Sequence, residues 1–338
     1  MNRRIGLVAL AASVVCSAAS ASSYTAIYSF GDSLSDVGNI YDLTSGLVPI
    51  PPYYNGRFSN GANWLDDLSA KLGLGPMVPI IALGGGINPN GNDYAFGGAQ
   101  TGPTNVNSGS LIDLPSQVAL FSGANPSTAL FTLDIGANDI GNALTALAAD
   151  PTFDVATFLT DAVTNTVGAI DTLYADGMRS LLYYEVPDLS LVPAFEAAGP
   201  LGGELAMEFN QDVLDAIEPL KAEGLTVFDV PIFNAIDVLV TYPGRFGLTD
   251  VTDPCFSGDT ETPGTECSTP DQYLFWDSEH PTAAGNALTA DLAYAVLTGA
   301  PNPIVAPEAS TWAMMLIGFA SLGLAGWRAG SRRAALAS

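Results

Sequence analysis

A serine directly after a buried strand can act as a nucleophile, and the stretch around Ser33 has this pattern. Residues 24–30 are rich in β-branched and aromatic side chains, which predicts a buried strand. Gly31, Asp32 and Ser33 follow it, so the serine hydroxyl would lie at the edge of a sheet, where a ligand can reach it. Taken alone, the residues fit a Gly-Asp-Ser turn with a capping serine better than a nucleophile, and the rest of the chain has to decide.

The histidine at position 280 is the only one in the chain. A serine nucleophile needs a base that titrates near neutrality, and that base needs a carboxylate to orient it. Asp277 is close enough to reach the imidazole through a tight turn, and Pro281 leaves His280 in the loop before the last helix. An exposed histidine in a capping loop is the alternative. We predict Ser33 as nucleophile, His280 as base and Asp277 as the group that orients it.

Acyl transfer also needs hydrogen-bond donors for the negative charge that develops on the carbonyl oxygen. Gly98 offers a backbone N–H without an obstructing side chain, Asn138 offers a side-chain amide, and the N–H of Ser33 is a third donor. Both Gly98 and Asn138 also fit simple turns. The choice of Gly98 over Gly97 rests only on its distance from the preceding strand.

These residues each follow a segment that reads as a strand. The predicted strands are 24–30, 93–99, 129–135, 180–186 and 225–230, and the predicted helices are 64–72 with Asn60 as its cap, 114–121, 155–174, 201–223, 233–240 and 282–298. Strands that alternate with helices indicate one domain with a parallel sheet between two helical layers. In such sheets ligands bind at the carboxyl ends of the strands, so Ser33, Gly98 and Asn138 are expected to converge on one edge.

The chain of 338 residues is strongly acidic, with a net charge of −25. The arginines of the two ends (Arg3, Arg4, Arg328, Arg332 and Arg333) are half of all basic residues, so the body between them is more acidic still. Such a surface repels nucleic acid, and we exclude nucleic-acid binding. We expect no metal and no cofactor, because a metal site on Cys255 and Cys267 would need the single histidine as a further ligand.

Both ends of the chain have features of export. Residues 1–21 have the charged start, apolar run and Ala19-Ser20-Ala21 site of a signal peptide. In an exported protein, Cys255 and Cys267 read as one disulfide that closes a short loop. Residues 301–338 contain a Pro-rich linker, an apolar run and terminal arginines. This tail resembles the PEP-CTERM sorting signal of Gram-negative bacteria, which an exosortase cleaves, although a plain C-terminal membrane anchor is the alternative.

The chain resembles the GDSL (SGNH) family of secreted esterases and lipases over about residues 26–298. The matching blocks are Gly31–Asp36, Tyr94–Ala99, Gly136–Asp139 and Asp277–Thr282, with further similarity at Gly56–Gly61 and Val186–Leu189. The resemblance implies a flavodoxin-like three-layer α/β/α fold for residues 22–300 and hydrolysis of carboxylic esters. It also implies a Ser33, His280 and Asp277 triad, with Gly98 and Asn138 in the oxyanion hole.

The prediction is therefore an exported or surface-displayed serine ester hydrolase that acts on acyl esters or lipids. Two alternatives stay open. One is a non-catalytic surface protein that keeps the fold and binds polysaccharide, suggested by the sorting tail and the acidic surface. The other is an exopolysaccharide deacetylase, which shares the chemistry but takes a different ester. The sequence does not indicate the acyl chain length or the oligomeric state.

Overall fold

The computed structural model describes residues 24–102 and 112–304. Its strands are β1 (Ile27–Gly31), β2 (Ile81–Ala82), β3 (Gly86–Ile87), β4 (Leu130–Asp134), β5 (Ser180–Tyr184), β6 (Thr226–Val230), β7 (Asp250–Pro254) and β8 (Tyr273–Phe275). Its helices are α1 (Asn39–Leu43), α2 (Trp64–Lys71), α3 (Leu114–Ala119), α4 (Ala137–Ala149), α5 (Val155–Ala175), α6 (Leu201–Ala216), α7 (Glu218–Ala222), α8 (Ile232–Thr241) and α9 (Ala283–Thr298).

The central sheet has the strand order β1-β4-β5-β6, and all of its pairs are parallel. Every residue of β1 and β4 is buried, as expected for strands covered on both faces. Helices α2 and α9 pack together, while α3, α4, α5 and α6 pack on one another as a second group. The predicted fold class, a three-layer α/β/α sandwich around a parallel sheet, is confirmed.

The predicted strand at 93–99 is only an extended segment along the free edge of β1. Ser29 donates its N–H to Asn92, and the N–H groups of Tyr94 and Phe96 donate to the carbonyls of Ser29 and Gly31. On this edge, Ser29 and Asp93 form a single isolated parallel β-bridge. The next ladder hydrogen bond is missing, because the N–H of Gly31 donates to the side chain of Gln117 and not to the carbonyl of Tyr94, so a regular strand does not form.

Most predicted helices form within a few residues of their expected bounds, with three differences. Asn63, not Asn60, caps α2, because its side chain accepts the Asp66 N–H in a reciprocal capping box. The predicted helix at 201–223 is interrupted at Ile217, next to Pro219, which lacks an N–H. Helices α1 and α4 were not predicted, since the stretches after β1 and β4 read as turns.

A disulfide joins Cys255 and Cys267, with Cα atoms 4.9 Å apart. It closes a loop between β7 and β8, which form a small two-stranded parallel sheet of their own. The predicted signal peptide at 1–21 and the sorting segment beyond residue 304 lie outside the described residues, so the domain bounds stay predictions. Among the helices of residues 24–102 and 112–304, none has the length and apolar character needed to span a bilayer.

Candidate active site

Ser33 lies in a tight turn just beyond the end of β1. Gly31 brings β1 so close to β4 that a Cβ there would lie 2.0 Å from Oδ1 of Asp134, and its φ of +145° suits glycine. The side chain of Gln117 holds both backbone groups of Gly31, at 2.9 and 2.7 Å. Asp32 then accepts the N–H of Leu34 on its own carboxylate, which turns the chain and leaves Ser33 half-buried.

His280 follows β8 in a turn built by the carboxylate of Asp277. Oδ1 of Asp277 accepts the backbone N–H groups of Glu279 and His280, both at 2.8 Å. The same carboxylate lies 2.8 and 2.9 Å from Nδ1 of His280. The turn therefore fixes the imidazole relative to the carboxylate and favours the tautomer with a proton on Nδ1.

The opposite ring nitrogen of His280 lies 2.8 Å from Oγ of Ser33. Ser33, His280 and Asp277 are thus joined in series, although 247 residues separate the serine from the histidine. Asp277 and His280 are buried, whereas Ser33 faces a groove. This arrangement suits proton transfer from the serine hydroxyl to the imidazole.

The segment Gly56–Gly61 packs against the loop that carries His280 and forms hydrogen bonds next to it. The ring of Phe58 lies 5.2 Å from the imidazole, centroid to centroid. Ser59 donates its hydroxyl to the carbonyl of Pro281, and Oδ1 of Asn60 accepts the N–H of Ala283 in the first turn of α9. Asn60 therefore serves the N-terminus of α9 rather than that of α2.

Asn138 lies in the first turn of α4 and faces the same groove as Ser33. Its amide nitrogen donates to the carbonyl of Ala99 at 3.0 Å and lies 3.3 Å from Oδ2 of Asp32. The second contact is long for a hydrogen bond. The contact with Asp32 is therefore weaker than the one with Ala99.

Gly97 and Gly98 differ in what their amides do. The N–H of Gly97 donates to the buried carboxylate of Asp36 at 2.9 Å, so it is not available to a substrate. The N–H groups of Gly98 and Ser33 donate to no protein atom within residues 24–102 and 112–304. Gly98 is exposed and lies outside the lining of the groove, next to Ala99, which holds Asn138.

The groove beside Ser33 has a cavity volume of about 80 Å³. Its lining includes polar residues, namely Asp32, Ser33, Asn138, Glu279, His280 and Thr289. The rest is apolar and comes mainly from the 3₁₀ turns after β5, from α8 and from β8, namely Leu189, Val192, Phe195, Ile232, Ala235, Ile236, Leu239, Leu274 and Phe275. A mostly apolar groove beside a serine hydroxyl suits an ester with a hydrocarbon acyl chain.

The sequence interpretation missed Tyr53, whose hydroxyl donates to Oδ2 of Asp277 at 2.5 Å. Tyr53 lies in a Pro-rich loop far from Asp277 in the sequence, and no spacing or periodicity relates the two. Pairing of this kind depends on the tertiary fold alone. No group of three or more His, Cys, Asp or Glu side chains within the described ranges is arranged to hold a metal ion.

The charges around His280 make it a stronger base than free imidazole. Burial opposes the charged form, but the carboxylate of Asp277, its hydrogen bond, and the charges of Glu279 and Asp32 outweigh burial and raise the pKa of His280 to about 9. Burial by itself would raise the pKa of Asp277. The charge of His280 and several hydrogen bonds outweigh burial and lower this pKa to about 2. Asp277 therefore stays ionised while His280 gains and loses its proton.

Several other carboxyl groups near the sheet are buried and have raised pKa values. Burial raises the pKa of Asp32 and of Asp36 to about 6 and that of Asp139 to about 7. Burial and the charge of Asp229 raise the pKa of Glu185 to about 7. These carboxyl groups bind protons more tightly in the folded chain than in the unfolded chain.

We expect the melting temperature to rise as the pH is lowered from about 8 to about 5. A raised carboxyl pKa means that folding takes up protons in this range, so stability is lost as the pH rises through the folded-state value. His280 acts in the same direction, because the stability it adds is complete below its unfolded pKa and lost as the pH rises through about 9. The lowered pKa of Asp277 matters only under strongly acidic conditions. Thermal unfolding followed by circular dichroism measures the effect.

High salt is the control for repulsion between surface charges, because it screens exposed groups far more than buried ones. Glu185→Gln keeps an oxygen that can accept the N–H of Phe233, as Glu185 does, but removes one titrating group. The pH dependence of this variant should therefore be shallower. A melting temperature that is equal or higher at about pH 8, in salt, would contradict the role given to the buried carboxyls.

The parallel sheet, the serine after β1 and the histidine-aspartate pair after β8 together define a class of protein, the three-layer α/β/α ester hydrolases. The sequence model of the GDSL-like Lipase/Acylhydrolase family matches residues 27–293. The chain belongs to this family and is a carboxylic ester hydrolase.

The chain is similar over most of its length to several curated proteins. GDSL esterase/lipase 6 of Arabidopsis thaliana is 27% identical over 80% of this chain and 86% of its own. Phosphatidylcholine-sterol acyltransferase of Aeromonas hydrophila is 28% identical over 91% of this chain and 86% of its own. The thermolabile hemolysin of Vibrio parahaemolyticus is 27% identical over 78% of this chain and 62% of its own.

Proposed function

We propose that the protein hydrolyses esters of apolar acyl chains through a catalytic triad of Ser33, His280 and Asp277. The observation that carries the proposal is the continuous series of contacts from the Asp277 carboxylate through both ring nitrogens of His280 to Oγ of Ser33. Because the serine ends this series in an apolar groove, nucleophile and acyl-binding surface share one site.

In the first half of the reaction, Oγ of Ser33 attacks the acyl carbonyl carbon while Nε2 of His280 takes the hydroxyl proton. The imidazolium that forms is stabilised by Asp277, which keeps its own charge. His280 then gives the proton to the alkoxy oxygen of the ester. The C–O bond breaks, the alcohol leaves, and the acyl group stays on Ser33.

In the second half, His280 takes a proton from water, and the resulting nucleophile attacks the acyl carbon. The proton returns to Oγ of Ser33 as the acid leaves. In both halves the carbonyl oxygen becomes negative and needs donors. The N–H groups of Ser33 and Gly98, which have no acceptor among the described residues, and the amide of Asn138 are assigned to it. Gly97 is unsuitable because Asp36 already holds its N–H.

The lining of the groove favours esters with an apolar acyl chain as substrates over small acetyl esters. Most of the residues that line it are apolar, and Glu279 places a carboxylate in the same groove that repels anionic acyl groups. The relatives named as a phosphatidylcholine-sterol acyltransferase and as esterases or lipases support an acyl or lipid ester as substrate.

Hydrolysis of p-nitrophenyl esters from acetate to decanoate, together with acetylated xylan, tests this proposal. We expect kcat/KM to rise from acetate towards medium-length chains and acetate release from the glycan to be slow. A preference for acetylated glycan would instead favour the deacetylase alternative. An inert protein would favour the polysaccharide-binding alternative.

Replacing Ile236 by tryptophan should shorten the preferred acyl chain. Ile236 is a buried residue of α8 that lines the groove, so a larger ring there takes space from the acyl chain. We expect kcat/KM for decanoate to fall by about 10-fold or more, while that for acetate changes little. The measurement is the same ester series.

Asn234→Trp is the matched control, because Asn234 lies on the same helix but is exposed and does not line the groove. It should leave the chain-length profile unchanged. If Ile236→Trp lowered the rates for acetate and decanoate equally, the apolar groove would not hold the acyl chain.

Export is part of the proposal. The signal-peptide pattern of residues 1–21 and the disulfide between Cys255 and Cys267 both suit an oxidising compartment. The tail that resembles a PEP-CTERM signal would be processed by an exosortase at the inner membrane of a Gram-negative bacterium. Mass spectrometry of the protein recovered from the culture medium or cell surface would locate both mature ends.

A further inference from the structure

We infer that Tyr53 is a positioning residue for the triad, held against Asp277 by the disulfide-closed loop 255–267. The inference rests on the proposed role of Asp277 and extends it to a residue outside the family motifs. Tyr53 does not line the groove beside Ser33, so it acts on the substrate only through Asp277.

The carboxylate of Asp277 has different partners on its two oxygens. Oδ1 accepts two backbone N–H groups of its own turn, from Glu279 and His280. Nδ1 of His280 lies against both oxygens, 2.9 Å from Oδ1 and 2.8 Å from Oδ2, and Oδ2 also accepts the hydroxyl of Tyr53. Tyr53 is therefore the contact from outside the turn that fixes how the carboxylate is rotated towards His280.

A small aromatic cluster, separate from the main core, holds the ring of Tyr53. Its buried members are Tyr53, Cys255, Phe256 and Trp276. The ring of Tyr53 meets those of Phe256 and Trp276 edge-on, with centroids 5.8 and 6.1 Å away, and the latter two rings are stacked. Because the ring is enclosed on these sides, its hydroxyl has a fixed direction.

The disulfide loop ties this cluster to the turn of Asp277. The N–H groups of Cys255 and Phe256 donate to the carbonyls of Phe275 and Trp276, directly before Asp277. The same loop holds the Tyr53 segment, because Ile50 donates its N–H to Thr260 and Tyr53 donates to Ile50. The loop thus has one connection to the donor and another to the acceptor of the Tyr53 to Asp277 hydrogen bond.

The hydroxyl of Tyr53 also draws charge from the carboxylate, since a hydrogen bond to an ionised acceptor stabilises the charge. Without this donor, Asp277 would hold the proton of His280 more strongly. The other charged groups that act on this pair are Asp32, Glu279 and Asp259, and none of them changes when Tyr53 is replaced. Loss of the hydroxyl should therefore raise the pH at which His280 becomes a free base.

Tyr53→Phe tests the inference, because it keeps the ring and removes only the hydroxyl. We expect kcat to fall by about 10-fold, KM to stay the same, and the acid limb of kcat/KM to move upward by about half a pH unit. Rates are normalised to the fraction of Ser33 that a fluorophosphonate labels. Tyr54→Phe is the matched control, since the neighbouring Tyr54 is exposed and should tolerate the same change.

An unchanged kcat and an unchanged acid limb in Tyr53→Phe would overturn the inference. So would a loss that disappears on normalisation, because it would report only misfolded protein. The triad is tested separately by labelling of Ser33 in the wild type, so failure of one idea leaves the other intact.

Reduction with dithiothreitol tests the part played by the loop. We expect reduction to lower kcat of the wild-type protein, with the circular dichroism spectrum retained, and to lower that of Tyr53→Phe by a smaller factor, since the contact through which the loop acts is already missing. Equal losses in both proteins, or no loss in the wild type, would overturn the role of the loop.

Discussion

Ser33→Ala is expected to lower ester hydrolysis by between about 10⁴-fold and 10⁶-fold, which leaves only the rate that oxyanion donors and binding can supply. The change removes one oxygen atom from a half-buried position in a turn that Asp32 and Leu34 hold by other contacts. The fold should therefore persist. Initial rates with p-nitrophenyl butyrate, together with fluorophosphonate labelling, measure the effect.

Ser278→Ala is the matched control for this variant. Ser278 is exposed, directly follows Asp277 and contributes no side chain to the groove. Its replacement should leave both the rate and the labelling unchanged. A Ser33→Ala protein that hydrolysed the ester at a rate close to wild type, or that still reacted with the fluorophosphonate, would rule out Ser33 as nucleophile.

Asp277→Asn is expected to lower kcat by about 10⁴-fold. Every group that contacts the Asp277 side chain donates to it, namely Tyr53, His280 and the backbone of Glu279. An asparagine has one oxygen for these donors and turns its NH₂ group towards another. An NH₂ group facing Nδ1 favours the tautomer with a proton on Nε2, which cannot accept the proton of Ser33.

The pH profile adds a second expected result for this variant. Since the charge of Asp277 raises the pKa of His280, its removal should move the acid limb of the residual activity to lower pH. Asp271→Asn, an exposed carboxylate in the turn before β8, is the control and should change neither kcat nor the pH profile. Near-normal activity in Asp277→Asn would exclude Asp277 as the orienting group.

The local parts of the site could be read from the sequence because they depend on neighbouring residues. The buried character of β1 predicted that Ser33 would stand at a strand end, and the short spacing of Asp277 and His280 predicted a turn that joins them. The alternation of strands and helices likewise predicted the parallel sheet, whose carboxyl edge collects the side chains that follow each strand.

Errors in the local predictions came where a tertiary contact outweighed a local preference. Asn60 has the side chain of a helix cap, but it accepts the N–H of Ala283 in the first turn of α9. Asn63 caps α2 instead. Residues 93–99 have the composition of a strand, but the N–H of Gly31 in β1, which would extend the ladder with them, donates to the side chain of Gln117. In both cases a hydrogen-bonding group is paired with a residue distant in the sequence, and not with the partner that the local pattern suggests.

The sequence by itself determined the fold class, the family and the residues with the chemistry of a nucleophile, a base and its carboxylate. These follow from hydrophobic periodicity and short motifs, which act within one element or one turn. Only the tertiary structure decided that the N–H of Gly97 is held by Asp36 while that of Gly98 has no acceptor in the part of the chain described, and that Tyr53 reaches Asp277. Such contacts join residues far apart in the chain, and their geometry depends on how whole elements pack.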